Sequence, residues 1–394
     1  MTRSRTALAQ AAMLAAALAA FPAGAQSGDF RSCLSSLKAQ AAGQGISGAT
    51  FDAATRGLEP DPRVLELMDN QPEFKTPIWD YIAALVDEER VVDGRAAMRG
   101  HASALAGAES RYGVDRHMIA GVWGVESNFG KDIGGRPLVQ SLATIACMGS
   151  RRRDYFRGEL FATLRILERG EIAPENLRGS WAGAFGHTQF MPSTYQRLAV
   201  DMDGDGRRDV VASVPDAVGS TANFLAKAGW NNAIPWGYEV RVPAGFNTGL
   251  AGRKNKRAVS DWAAIGVTRY DGRPLTGGYP AGILLPAGPR GPAFLVTRNF
   301  DALYSYNAAE SYGLAIALLG DRLRGGPGVQ APWPTDDLPL TRADRRELQR
   351  LLTARGYDVG EPDGRVGQKT RDAIKDVERQ IGMAPTGRPG GKVL

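Results

Sequence analysis

The chain has 394 residues, of which 43% are hydrophobic and 23% charged, ordinary globular composition and enough for one large domain with a smaller one beside it. Its formal charge is +6, a mildly basic balance that suits an anionic polymer without choosing among them. With only three histidines and two cysteines, the composition argues against a zinc site.

In chain order, the first feature is a leader. Arg3 and Arg5 precede an apolar, Ala-rich run from Leu8 to Phe21, and Ala23-Gly24-Ala25 supplies the small residues of a cleavage site. Residues 1–25 read as a secretory signal peptide, because the apolar run is shorter than the ~20 residues of a spanning helix. An uncleaved anchor is the alternative. Cys33 follows Phe30-Arg31-Ser32, which is no lipobox. Nothing later reads as transmembrane, so the expected destination is a bacterial periplasm. In that compartment Cys33 and Cys147 either pair or remain two buried thiols.

The catalytic region is expected over 26–325, mainly helical with some strand (α+β). An amphipathic helix is predicted from Ile78 to Val91 and another from Ala96 to Tyr112. Asp115 caps a third, from Arg116 to about Ser127. Between 240 and 300, Gly and Pro punctuate short apolar runs such as Ile283-Leu284-Leu285 and Phe294-Leu295-Val296. These are short strands or irregular loops. Helix returns from Ser305 to Leu323. A breaker-rich linker covers 326–339, with Gly326-Pro327-Gly328, Pro332, Pro334 and Pro339. A small helical module follows over 340–394.

The chemistry concentrates in two segments. Ile119, Val122, Trp123 and Glu126 share one face of the third helix. A carboxyl ending an apolar stripe loses solvation, which raises its pKa toward that of a useful proton donor. A solvated glutamate is the alternative from the helix alone. In the second segment, Trp181-Ala182-Gly183-Ala184-Phe185-Gly186 leads into His187-Thr188-Gln189-Phe190-Met191-Pro192. Small residues allow close backbone approach to a ligand, and Gln189 has donors and acceptors for an N-acetyl group. A Gly-rich packing turn is the alternative.

"GVWGVESNFG" (121–130) with "GSWAGAFGHTQFMPSTY" (179–195) resembles the membrane-bound lytic transglycosylase B family of the lysozyme-like superfamily, over roughly residues 30–325. The resemblance implies cleavage of the β-1,4 bond between N-acetylmuramic acid and N-acetylglucosamine, leaving a 1,6-anhydro end. It makes Glu126 the sole catalytic glutamate, acid first and then base on the muramic C6 hydroxyl. It gives Ser180 and Gln189 contacts to the sugar, and Arg151, Arg152 and Tyr155 a place along the cleft near the peptide stem. Tyr81, Tyr306 and Asn307 match cleft positions. Phe224 stands where the family has a tyrosine, so stacking remains there without a hydroxyl. The chemistry needs no cofactor. Two-carboxylate glycosidases place a second acid ~5–9.5 Å from the first. No other acid lies in either motif, and Asp132 falls past the helix end. The substrate's own hydroxyl as nucleophile removes that need.

Asp201-Met202-Asp203-Gly204-Asp205-Gly206-Arg207 opens like an EF-hand loop, with side-chain ligands from Asp201, Asp203 and Asp205 and the Arg207 carbonyl. Ala212 stands where the usual glutamate would, and the resemblance supplies Asp216 as a later ligand for a structural Ca2+. An unliganded Asp-rich turn is the alternative. "LQRLLTARGYDVGEPDGRVGQKTRDAI" resembles the peptidoglycan-binding-like three-helix domain of wall enzymes, over about 340–394. Val377-Glu378 replaces its usual aromatic-Gln pair. The expected partners are peptidoglycan strands and, by extension, wall-enzyme complexes. No nucleic-acid-binding module is recognised. A hydrolytic muramidase and a non-catalytic wall-binding protein are the rival readings.

Overall fold

The computed structural model describes residues 23–69 and 76–394. The leader read at residues 1–25 lies almost wholly outside them. The first half is a run of helices: α1 (Ala23–Ala42), α2 (Gly48–Thr55), α3 (Pro62–Asp69), α4 (Ile78–Leu85), α5 (Glu88–Gly100), α6 (Ala102–Tyr112) and α7 (Arg116–Ser127). Two helix expectations shift here. The helix predicted over 78–91 breaks at Val86, because the Asp87 side chain accepts the Arg90 N–H and starts α5 afresh. The helix predicted over 96–112 is interrupted at His101, whose φ/ψ of −120°/31° leaves the helical range. The Asp115 cap on α7 is as read: its carboxylate accepts the His117 N–H at 2.8 Å.

After the short strand β1 (Arg136–Pro137) come α8 (Leu138–Met148) and α9 (Arg153–Glu168), then β2 (Arg178–Gly179), antiparallel to β1. α10 (Pro192–Leu198) and α11 (Val214–Lys227) lead into the second half. The ambiguous region forms β3 (Gly237–Arg241), β4 (Arg257–Ala258), α12 (Val259–Ala264), β5 (Thr268–Arg269), β6 (Pro280–Leu284) and β7 (Ala293–Val296). These strands make one antiparallel sheet in the order β4-β6-β7-β3-β5. Both apolar runs singled out in the sequence are central: Ile283 pairs with Leu295 and Leu284 with Phe294. α13 (Arg298–Tyr304) precedes α14 (Glu310–Arg324), so the helix expected from Ser305 starts five residues later.

Three apolar clusters organise the catalytic region. The first surrounds α7 and α14. Those helices cross closely because glycines face the contact. A Cβ on Gly121 would sit 2.7 Å from the Ile316 carbonyl oxygen, and one on Gly320 would sit 2.3 Å from Met118 Cε. The second cluster gathers α1, α8 and α9, where a disulfide joins Cys33 to Cys147 across 114 residues. Bridging so long a loop restricts the unfolded chain by an amount worth about 3–5 kcal/mol. The third lies under the sheet. Phe224 and Tyr306 pack against both the first and second clusters, which places them on the seam between the two helical lobes.

The C-terminal segment carries α15 (Arg342–Ala354) and α16 (Gln368–Gln380), with its own core of Leu348, Leu352, Ile374 and Val377. Turns occupy 355–367 and 381–394 in place of a third helix. It docks through charge: Arg388 grips Asp80 with bonds of 2.7 and 2.8 Å, and Arg346 pairs with Glu89 at 2.8 Å. The segment expected as a linker is also held, since the Gln330 and Ala331 N–H groups donate to Glu239. No helix among the described residues is long and apolar enough to cross a membrane.

Candidate active site

α7 delivers Glu126 to the seam. The helix ends in three successive left-handed residues, Asn128 (φ 50°), Phe129 (φ 60°) and Gly130 (φ 83°), which reverse the chain within one turn. A Cβ on Gly130 would lie 2.3 Å from the His187 ring, so no larger residue fits there. The Ser127 hydroxyl donates to the His187 carbonyl at 2.5 Å and accepts the Gly130 N–H at 2.9 Å. Trp123 Nε1 donates to His187 Nδ1 at 3.1 Å. Burial lowers the His187 pKa, so the ring is neutral and its Nδ1 is free to accept. These bonds fasten the end of α7 to the segment that carries Gln189.

Glu126 itself is partly buried, and one hydroxyl holds it. Tyr312, in the first turn of α14, donates to Glu126 Oε1. Burial pushes the Glu126 carboxyl up to about 7, and the Tyr312 bond, which favours the anion, opposes that rise. Among the described residues, no carboxylate charge contributes to the shift. Asp132, the nearest acid in sequence, is half-exposed and paired with Arg365. The Tyr312 ring stacks with Tyr306 at 6.2 Å and 20°. Tyr306 in turn donates to the Thr188 carbonyl at 2.7 Å. Both phenols are held well above their usual pKa by burial and by the adjoining Glu126, and both stay protonated donors. A continuous path therefore runs from Glu126 through Tyr312 and Tyr306 to Thr188, the residue before Gln189.

The Gly-rich segment divides its labour. A Cβ on Gly179 would meet the Ala184 carbonyl oxygen at 2.1 Å, and one on Gly186 (φ 77°) the Val210 carbonyl oxygen at 2.6 Å. Those tight approaches are to the chain's own backbone. Ser180 Oγ accepts the Ala184 N–H at 3.0 Å and closes the turn. Gln189 is different: it sits at φ 51°, an uncommon conformation for a side-chain-bearing residue. Its amide nitrogen donates to the Ile133 and Gly186 carbonyls at 3.0 and 2.8 Å, which turns its oxygen the other way. Phe190, Phe224 and Tyr306 form an aromatic wall beside it, with Phe224 only 4.6 Å from Tyr306.

The remaining sequence candidates fall in three places. Tyr81, on α4, is partly buried and electrostatically coupled to Tyr312. Asn307 is exposed just past Tyr306. Arg151, Arg152 and Tyr155 stand at the start of α9, outside the Glu126 network. Arg151 donates to the Met68 carbonyl, and Arg152 lies over the Tyr155 ring at 4.2 Å. Tyr312 was not among the candidates, although a tyrosine on a helix as apolar as α14 needs a partner for its hydroxyl.

In the acidic loop, Asp201, Asp203 and Asp205 bring carboxylate oxygens within 4.8 Å of one another. Loop N–H groups preorganise them: Asp201 accepts from Gly204 and Gly206 at 2.6 and 2.9 Å. Asp205 also pairs with the Arg207 side chain at 3.2 Å. Asp216 lies outside that group of three. It is fully buried, and its two oxygens accept the Met202 and Asp209 N–H groups, both at 2.7 Å. It shapes the loop from below. Three converging hard oxygen donors fit Ca2+, with the Arg207 carbonyl next in the loop. Ala212 supplies none, so the donor set is shorter than a full EF-hand.

A lysozyme-like helical fold that holds a partly buried glutamate at a seam lined with tyrosines suits a glycan-cleaving enzyme. The chain belongs to the transglycosylase SLT domain family, whose profile matches residues 29–321, and residues 341–394 match the peptidoglycan binding domain family. It is 35% identical to the membrane-bound lytic murein transglycosylase B of Escherichia coli (strain K12), over 65% of this chain and 73% of that protein. Among solved structures it is similar to SltB3 from Pseudomonas aeruginosa in complex with NAG-anhNAM-pentapeptide, at 43% identity and TM-score 0.76, covering 92% of this chain and 98% of that one. It is also similar to Escherichia coli Slt35 in complex with calcium, at 30% identity and TM-score 0.64, covering 76% and 94%.

Proposed function

We propose that this lytic transglycosylase cuts the β-1,4 bond between N-acetylmuramic acid and N-acetylglucosamine, with Glu126 as its single acid and base. The observation that carries the reading is a partly buried carboxyl near pKa 7 that accepts a hydrogen bond from a tyrosine. At neutral pH such a group is about half protonated, which suits a residue that must first give a proton and then take one. Protonated Glu126 donates to the glycosidic oxygen, and the C1–O bond breaks toward the N-acetylglucosamine leaving group. The Glu126 anion then takes the proton of the muramic C6 hydroxyl as that oxygen attacks C1. The ring closes as a 1,6-anhydro sugar, and Glu126 ends protonated again. Tyr312 stabilises the anion between the two steps by the same hydroxyl bond.

Gln189 would offer its outward oxygen to an N-acetyl N–H, while Phe224 and Tyr306 would stack against a pyranose face. Ser180 would hold the turn that presents Gln189. Arg151, Arg152 and Tyr155 stand farther out, where a stem peptide carboxylate would meet a guanidinium. The leader, Cys33–Cys147 and the wall substrate together support export to the periplasm. The 341–394 module would hold the enzyme on its substrate and raise its local concentration. The acidic loop would take a structural Ca2+ through Asp201, Asp203, Asp205 and the Arg207 carbonyl. The test is mass spectrometry of digested sacculi: anhydro ends support this reading, and reducing ends make the enzyme a hydrolase.

A further inference from the structure

Glu126 occupies one end of α7. A separate cavity opens at the other end, about 16 Å away at 1.5 Å per residue. It encloses about 440 Å³ between the start of α7, the end of α14 and the edge of β3, within the usual range for small-ligand sites. A second chamber of about 220 Å³ adjoins it and shares Trp236, Tyr238, Arg269, Asp321 and Arg324.

The lining is unusual for a packing defect. Trp236 and Trp230 supply aromatic surface, and Tyr238 lines both chambers. Trp236 Nε1 fixes Asp321 by donating to its Oδ2 at 2.9 Å. The Arg269 guanidinium carbon lies over the Tyr238 ring, 3.9 Å from its centre. The Tyr238 hydroxyl is buried there beside Tyr279 and Arg269, which both interact with it. Asn232 borders the mouth and accepts from Trp230 Nε1 at 3.0 Å. Indole and phenol faces take the C–H face of a pyranose. A fixed carboxylate, a stacked guanidinium and an amide take its hydroxyl and acetamido groups.

We propose that this cavity is a second, non-catalytic saccharide site that holds an N-acetylated amino sugar of a glycan strand. The choice of ligand rests on the glycan-cleaving reading above. The site lies between the sheet and α14, and the chain at Gly326–Gly328 leading to the C-terminal module borders its second chamber. A strand held here would be retained after the catalytic seam lets go.

The test is isothermal titration calorimetry of the full-length Glu126→Gln protein with tetra-N-acetylchitotetraose. Two sites are expected. Trp230→Ala with Arg269→Ala should remove one of them, at least tenfold in affinity, and Gln189→Ala should weaken the other. If the double variant does not fold, Arg269→Ala alone, on a partly buried side chain, should weaken the same site. A single site, or two sites untouched by either Arg269 variant, overturns the inference. Product analysis with Glu126 intact is a separate readout. Absent anhydro products with two intact binding sites would sink the cleavage reading and leave this one standing.

Discussion

The end of α7 and the loop at 201–209 both concentrate carboxylate chemistry, and they do so by opposite means. Glu126 has no other carboxylate beside it among the described residues, is partly buried and is met by the Tyr312 hydroxyl, so its proton is held to about pH 7. Asp203 and Asp205 are exposed, three acids converge there, and loop backbone N–H groups donate to their carboxylates. Isolation with desolvation makes a carboxyl that trades protons. Clustering in solvent, with loop amides orienting the oxygens, makes a donor set that suits a cation. Burial at one site and solvent at the other set the difference, since both start from ordinary acidic side chains.

The largest effect that could break the contrast is on turnover. Glu126→Gln should cut release of soluble muropeptides from sacculi by at least about 10³-fold, because general acid and base are lost together. Asp203→Asn should leave that rate within about threefold. Next comes stability, read by chemical unfolding. Glu126 has a folded pKa above its unfolded value, so the folded state binds the extra proton between about pH 4.5 and 7, and stability falls as pH rises through that window. Glu126→Gln should therefore stabilise the fold by on the order of 2 kcal/mol at pH 7.5 and by nothing measurable at pH 4. Tyr312→Phe removes a bond that favours the anion. It should raise the Glu126 pKa, move the alkaline limb of the rate profile to higher pH, and cost about 1.5–3 kcal/mol in anion stabilisation. The smallest effect tests the proposed calcium site. At tenfold saturation a bound ion contributes about 1.4 kcal/mol. Chelation should therefore lower Tm by roughly 2–4 °C while activity stays near its starting value at 25 °C.

Much of this site was legible because its signals are local. The Asp115 cap, the apolar stripe to Glu126 and the Gln189 motif each lie within a dozen residues. The Cys33–Cys147 pair was left open in the sequence and is closed in the structure. Tyr312 was not legible, because its bond to Glu126 spans 186 residues and depends on glycines that let α7 and α14 approach. The break at Asp87 was hidden because the apolar spacing from Ile78 to Val86 reads as one helix running on to Val91. The sheet over 237–296 was ambiguous because strands of two to five residues carry too little alternation to separate from loops. Asp216 matched a ligand position in the sequence, whereas burial turns its oxygens to loop amides.

One measurement tests the single-glutamate mechanism most directly: mass spectrometry of the ends produced from purified sacculi by the intact protein and by Glu126→Gln. The intact protein should yield 1,6-anhydro-N-acetylmuramic ends almost exclusively, and the variant almost none. Reducing ends from the intact protein, or undiminished anhydro ends from the variant, would contradict it.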